Sequence, residues 1–352
     1  MTASAKIPAK IVVWGAIRPE GIAVLENRPN TKVIVVDADD TGGLARELEQ
    51  ADGLLIRTMP LDPEAIAGAT KLKVVARHGV GYDNVPIDRL TERNIPLALT
   101  GAVNTLSVAE HTLFMMLCAA KAGIQHDHAV RTGAWSMRDD LKAIELAGRT
   151  ILLLGFGRIG REVAIRAAAF GMTVQVFDPH LPAADIKSAG AEPVTDWHAA
   201  SAGADFVSLH LPLTPETYHI IGSAELAAMK QGSVLINAAR GGLVDESALA
   251  DALRSGHLAA AGIDTLEAEP PDADHPLLGI ATAILSPHNA GLTLESAIRL
   301  GVTSAKNIVA GLDGRLDPTL VANPQVLKSS GDNRPRAVTD AGTIGGPPKT
   351  KP

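Results

Sequence analysis

Two hydrophobic patterns alternate along this chain. Short apolar runs (KIVVWGA, TKVIVVDAD, DGLLIRT, LKVVARHG, NIPLALT) are separated by stretches that read as helices, namely RPEGIAVLEN, GLARELEQA, DPEAIAGA and VPIDRLTERN. Asp62 and Pro63 occupy the cap and first-turn positions of one of those helices. Short strands alternating with amphipathic helices predict a parallel α/β sheet over residues 1–104. LSVAEHTLFMMLCAAKAGIQHDHAVRTG follows and reads as one buried helix with a more polar continuation; WSMRDDLKAIELAGRT then leads back to an apolar run. A second α/β unit is predicted there, with strands at ILLL, MTVQVFD, ADFVSLHLP, SVLINAARG, AAGIDTL and AILSP. The run TLESAIRLGVTSAKNIVAGLDGR reads as a helix with no strand after it, and is predicted to pack back on the first unit. The expected division is then 1–104 plus 292–325 against 105–291, two Rossmann-like parallel-sheet domains separated by a hinged cleft. Residues 329–352 are rich in Gly, Pro, Ser, Lys and Arg, and read as a disordered tail.

The most informative stretch is ILLLGFGRIG at 151–160, followed by the helix-like EVAIRAAAFG and by MTVQVFD. Gly155, Gly157 and Gly160 form G-x-G-x-x-G between a strand and a helix, and Asp178 closes the next strand 18 residues beyond the last glycine. That context fits a dinucleotide crevice. The first glycine makes the turn, the second admits the pyrophosphate, the third brings helix and strand together, and the helix N-terminus faces the negative charge. A carboxylate at Asp178 suits the adenosine ribose hydroxyls and repels a 2′-phosphate, which favours NAD over NADP. Arg161, just after the turn, argues the other way. The plainer reading of Asp178 is turn work at a strand end.

Composition adds exclusions. The net charge of −7, with no long Lys/Arg run, points away from nucleic acid. No stretch reaches ~18 uncharged apolar residues, so no membrane span is expected. The N-terminus carries no secretory pattern, and a cytoplasmic protein is the expectation. Cys118, the sole cysteine, sits in the apolar TLFMMLCAA and reads as core.

Three later places carry candidate chemistry. Arg240 in NAARGG, the acids Asp264, Glu267 and Glu269 in GIDTLEAEPP, and His288 in LSPHNAG each follow a strand, where α/β ligands bind. An arginine can hold a carboxylate through two hydrogen bonds while polarising a neighbouring carbonyl. A histidine paired with a carboxylate can deliver a proton near neutral pH. Together these suit hydride transfer to a 2-keto acid. Taken singly, Arg240 could equally form an interdomain ion pair, and His288 could be a satisfied turn histidine.

The ordered motifs RHGVGYDNV (77–85), NTLSVAEH (104–111), LGFGRIG (154–160), HLPLTPET (210–217), NAARGGLVDESAL (237–249), GIDTLEAEPP (262–271) and SPHNAG (286–291) resemble the NAD-dependent D-isomer-specific 2-hydroxyacid dehydrogenases. That family includes phosphoglycerate dehydrogenases and hydroxypyruvate or glyoxylate reductases. The resemblance runs from about Gly53 to Asn323. It implies Arg240 as the arginine that binds substrate carboxylate and carbonyl, His288 as general acid or base, and Glu269 as its carboxylate partner. It implies that His78, Gly79 and Val80 receive the substrate carboxylate through their backbone, and that Arg57 and Thr58 stand where phosphoglycerate dehydrogenases often carry an arginine for phosphate. For the cofactor it implies Gly157, Arg158 and Ile159 along the pyrophosphate, with Ala238 on the nicotinamide side and Asp264 at the carboxamide. His210, Pro212 and Thr217 would border the adenosine half. No metal is implied, and His78, His111, His126 and His128 form no tight ligand cluster in the sequence. The family also implies a homodimer built on the arm at residues 121–147, and a carboxylate at Glu269 separates the chain from formate dehydrogenases, which carry glutamine there.

The substrate stays open among hydroxypyruvate, glyoxylate, 3-phosphohydroxypyruvate and bulkier 2-keto acids. A reductase of a small 2-keto acid is the leading expectation, with phosphoglycerate dehydrogenase as its neighbour. The other class to weigh is an NAD(H)-sensing, corepressor-like interaction protein. Only about 30 residues follow the last helix, so no regulatory module of the kind attached to many serine-pathway enzymes is expected.

Overall fold

A computed structural model describes residues 7–327; the tail expectation for 329–352 lies outside the described residues. Among the described residues twelve strands form two sheets, every pair within them parallel. The first sheet holds β1 (Ala9–Trp14), β2 (Thr31–Val36), β3 (Gly53–Ile56), β4 (Val74–Arg77) and β5 (Leu97–Ala98), in the order β2-β1-β3-β4-β5. The second holds β6 (Thr150–Leu154), β7 (Thr173–Phe177), β8 (Glu192–Pro193), β9 (Phe206–Leu209), β10 (Val234–Asn237), β11 (Ala260–Ile263) and β12 (Ala283–Leu285). Its order is β12-β11-β10-β9-β6-β7-β8.

Both sheets are apolar on both faces, which is why their strands read as unbroken runs rather than as alternation. Residues on one face of the second sheet, including Ile151, Leu153 and Ile236, pack with Met115, Met116 and Val163. Those on the other, including Leu152, Leu154 and Leu235, pack with Leu226, Leu249 and Leu253. The strand order reverses between β6 and β9, and a crevice opens at such a switch point beyond the strand ends. The first sheet reverses likewise between β1 and β3, beside Arg57.

The Leu294–Leu312 helix returns to the first sheet as the pattern predicts. Thr293 caps it by accepting from the Ser296 N–H, and Ala305 and Ile308 join the core formed with Ile11, Val13, Leu55 and Val74. Burying Ile308 alone contributes about 2 kcal/mol. Gly301 lies against Gly21 of the Pro19–Glu26 helix, whose missing side chain lets the two helices touch.

Two local readings are corrected. The long segment after Asn104 is not one helix: Thr105–Ala120 and Gly123–Arg131 are separate, because Ala122 takes a left-handed conformation (φ 46°) and breaks the hydrogen-bond ladder. The stretch after Asp178, where no element was expected, holds short helices Ala183–Ser188 and Trp197–Ser201 around the edge strand β8. No helix among the described residues is long and apolar enough to cross a membrane.

Candidate active site

The glycine turn realises three distinct physical roles. Gly155 has φ 97°, and a Cβ there would meet the His210 carbonyl carbon at 2.9 Å. At Gly160 a Cβ would strike the Gly155 carbonyl, so the helix can approach β6 only without one. Gly157 differs: its φ is −70°, and nothing lies within 4 Å of the Cβ position. The open side of Gly157, at the N-terminus of the Arg158–Ala169 helix, is the space a pyrophosphate needs. The residues present therefore fit a dinucleotide.

Asp178 supports the turn directly. Its Oδ2 accepts from the Phe156 N–H and its Oδ1 from the His180 N–H, both at 2.9 Å, leaving lone pairs on each oxygen for a ribose. Turn work, the plainer reading, is what these contacts show. Arg161 stacks over the Phe156 ring at 4.6 Å, a cation–π contact that occupies the residue that argued for NADP.

Around the same cleft, of about 820 Å³, lie Arg158, Ile159, His210, Pro212, Ala238, Arg240, Asp264, Glu269 and His288 from the second unit. Arg57, Thr58, His78, Gly79 and Val80 line it from the first. Thr217 does not line it. Its hydroxyl donates to the Pro212 carbonyl at 2.7 Å and accepts from the Thr214 N–H at 2.8 Å, so it shapes the loop from within.

His288 is built with care. Nδ1 lies 2.7 Å from Glu269 Oε2, and Glu269 Oε1 accepts from the Leu266 N–H at 3.0 Å. This leaves Nε2 as the ring nitrogen without a protein partner among the described residues. The histidine is left-handed (φ 48°), an uncommon conformation for a residue with a Cβ. Asp264 enforces it: its carbonyl accepts the His288 N–H at 2.8 Å, and its carboxylate accepts Asn289 N–H at 2.9 Å and Ala290 N–H at 3.0 Å. Ser286 also donates to that carboxylate at 2.5 Å and joins His111 at 2.9 Å. Asp264 is therefore an anchor for the histidine turn, with Oδ1 taking two of these bonds and Oδ2 one. Burial works to raise the Glu269 carboxyl, but the His288 hydrogen bond and charge, the Leu266 N–H and Arg240 outweigh it, and Glu269 is held below its usual range.

Arg240 extends from the turn after β10. Its Nε donates to Asp83 Oδ2 at 3.1 Å across the cleft, and Nη1 donates to the Ala239 carbonyl at 2.6 Å. The interdomain ion pair weighed from the sequence is present, alongside three N–H groups still uncommitted. Asp83 was not singled out by sequence reasoning, although it lies within the RHGVGYDNV motif. Nor was the clamp formed by Glu246, which meets His275 at 2.8 Å and accepts the Glu267 N–H at 2.8 Å. Glu267 in turn accepts from Tyr218 at 2.7 Å, tying the Glu269 loop to its neighbours. Such acids look like solvated helix-start residues in the sequence, and no local signal marks them.

Two histidines are kept uncharged. Burial, then the charges of Arg57 and Arg77, push His78 down to about 4, and burial alone pushes His210 down to about 4. Unfolded, both rings take up protons near pH 6.5. Because the folded values are the lower ones, stability is whole above about pH 6.5 and falls as pH drops toward 4. His78, 7% exposed, accounts for on the order of 3 kcal/mol of that fall. His78→Asn should flatten the slope of melting temperature between pH 7 and 4.5; curves parallel to the parent's would refute this.

The fold and site define an α/β dinucleotide-binding protein with an arginine and a histidine–carboxylate pair at the strand ends. Residues 113–290 match the family model described as D-isomer specific 2-hydroxyacid dehydrogenase, NAD binding domain. D-3-phosphoglycerate dehydrogenase of Methanocaldococcus jannaschii is 38% identical over 90% of this chain and 60% of its own length. Glyoxylate reductase of Korarchaeum cryptofilum is 37% identical over 86% of this chain and 89% of its own length. The structure of D-lactate dehydrogenase from Aquifex aeolicus, complexed with NAD and lactic acid, superposes with a TM-score of 0.80 at 26% identity, covering 89% of this chain and 99% of that one. The chain belongs to the D-isomer-specific 2-hydroxyacid dehydrogenase family, and residues 113–290 match the family's NAD-binding domain. It spans 54–60% of the length of the first phosphoglycerate dehydrogenase relatives it matches.

Proposed function

We propose that this chain is an NAD-dependent oxidoreductase that interconverts a small anionic 2-keto acid and its D-2-hydroxy acid. The observation that carries this reading is the arrival of Arg240 and the His288–Glu269 pair at one cleft with the Gly157 turn. NADH, when bound, supplies the hydride. Arg240 holds the carboxylate and polarises the keto oxygen with its uncommitted N–H groups. Backbone groups at His78, Gly79 and Val80 receive the carboxylate from the other side. His288 presents Nε2 to the keto oxygen and gives it a proton, while Glu269 fixes the ring through Nδ1 and stabilises the positive charge. Substrate binding belongs to residues 1–104 with 292–325, cofactor binding to 105–291.

Among substrates, hydroxypyruvate and glyoxylate fit the small-acid reading, and relatives named glyoxylate reductase support it. A phosphorylated acid is the second reading. It is favoured by Arg57, whose Nε is buried without a partner, and by Arg77, which meets no carboxylate at ion-pair distance among the described residues. Burial and then the charges of Arg240 and Arg57 push Arg77 down to about 10, the mark of a cationic cleft. We further propose a homodimer through the arm at 121–147, where Ile124, Val130, Trp135 and Leu141 stand exposed.

NADH oxidation with glyoxylate, hydroxypyruvate, 3-phosphohydroxypyruvate and pyruvate tests the reading. Turnover of at least one keto acid is expected. Tight NADH binding with no turnover of any would overturn it in favour of an NAD(H)-sensing interaction protein.

A further inference from the structure

We infer that Asp83 is a positioning residue for Arg240, setting the guanidinium's orientation across the cleft and competing with the substrate carboxylate for its charge. The inference rests on the reading of Arg240 given above.

The turn that carries the carboxylate is pinned by its neighbours. Asn84, next in the chain, donates through Nδ2 to the carbonyls of Arg57 at 3.1 Å and Met59 at 2.7 Å, and accepts from Arg77 Nε at 3.2 Å. Its own carbonyl accepts the Leu61 N–H, and the Val85 N–H closes a turn on the Tyr82 carbonyl, both at 2.9 Å. Asp83 thus projects from a pinned turn. Arg240 comes from the other sheet, so their 3.1 Å contact joins the two walls of the cleft.

A donor inventory says what the contact does. Of five guanidinium N–H groups, Asp83 takes Nε and the Ala239 carbonyl takes one on Nη1. Both Nη2 groups and one on Nη1 stay uncommitted, and these are the ones a carboxylate and a keto oxygen need. The same edge lies against Gly81, where a Cβ would collide with Nη2. A side chain at 81 would push the guanidinium out of this position.

Stability does not explain the pair. Asp83 is two-thirds exposed, and ion pairs so open to water add little to folding. Its charge matters locally, because Asp83 is the carboxylate that acts on Arg77 while Arg240 and Arg57 act in the opposite sense. A substrate carboxylate arriving at Nη2 meets a nearby like charge, which weakens its binding while the guanidinium is held in the reacting orientation.

The test is Asp83→Asn, close in shape and uncharged. The variant is expected to bind oxamate, an unreactive analogue of a short 2-keto acid, about threefold to fivefold more tightly by calorimetry on the NADH-loaded protein. On the keto acid that the parent turns over, kcat should fall tenfold or more while KM stays level or drops, and Asp83→Glu should recover part of kcat. A merely structural role would lower the melting temperature and NADH affinity without that split. Oxamate binding that is unchanged or weaker in Asp83→Asn overturns the inference. A parent that binds oxamate but reduces no keto acid overturns the enzyme reading instead, and the oxamate comparison still decides the role of Asp83.

Discussion

Replacing His288 with asparagine is expected to lower kcat for keto-acid reduction by two to four orders of magnitude, the usual contribution of a positioned acid–base group. Asparagine is the informative choice because His288 is left-handed, at φ 48°. Asparagine tolerates that conformation, whereas alanine adds backbone strain to the loss of the imidazole. The Asp264 anchor stays intact in the variant, since the bonds to its carboxylate come from Ser286 and from the backbone of Asn289 and Ala290. NADH affinity, read by fluorescence, should change less than about threefold, because in the proposed mechanism the imidazole acts on the keto oxygen rather than on the nucleotide. If affinity and turnover fall together, His288 is holding the cleft together and is not the proton donor.

The second large effect separates two glycines three residues apart. Gly157→Val is expected to leave the melting temperature of the unliganded protein nearly unchanged, since the Cβ position is clear to 4 Å at an ordinary φ of −70°. It should weaken NADH by about a hundredfold or more, because the side chain stands where the pyrophosphate must come up against the backbone. Gly160→Ala should do the reverse in order of cause. Its Cβ strikes the Gly155 carbonyl, so the helix must move off β6, and the cost falls on folding first, about 1–3 kcal/mol. Calorimetric melts and NADH titrations of both variants decide the matter. Equal loss of stability in the two would mean that Gly157 is only a turn residue.

Much of this architecture was legible because parallel sheets covered on both faces write themselves as apolar runs. Ile11–Trp14, Leu54–Ile56 and Ile151–Leu154 are buried throughout, and no polar alternation obscures them. One cap was equally readable: Asp62 accepts from the first turn of the helix it precedes, as Asp245 and Thr293, not singled out in the sequence, also do. The break at Ala122 was not, since alanine is the strongest of helix formers and nothing in its sequence context marks a left-handed residue. The edge strand β8, two residues long and partly exposed, carries no pattern at all.

The site was legible as a set of strand ends and not as a constellation. The sequence places Arg240, Glu269 and His288 after three successive strands, and the parallel order β10-β11-β12 brings those ends to one edge. What it does not disclose are partners distant in the chain. Asp83 and Arg240 stand 157 residues apart, and Glu246 reaches His275 across 29. Thr217 shows the opposite failing: a motif position expected at the cofactor turns its hydroxyl into its own loop.

The return of the Leu294–Leu312 helix to the first sheet has a consequence for synthesis on the ribosome. The seven strands of the second sheet come from one continuous stretch of chain, Thr150–Leu285. The first sheet, although translated earliest, lacks Ala305 and Ile308 on one face until that last helix leaves the exit tunnel. During that interval Ile11, Val13 and Val74 lack the part of their apolar cover that Ala305 and Ile308 provide. The first sheet is thus translated first and completed last.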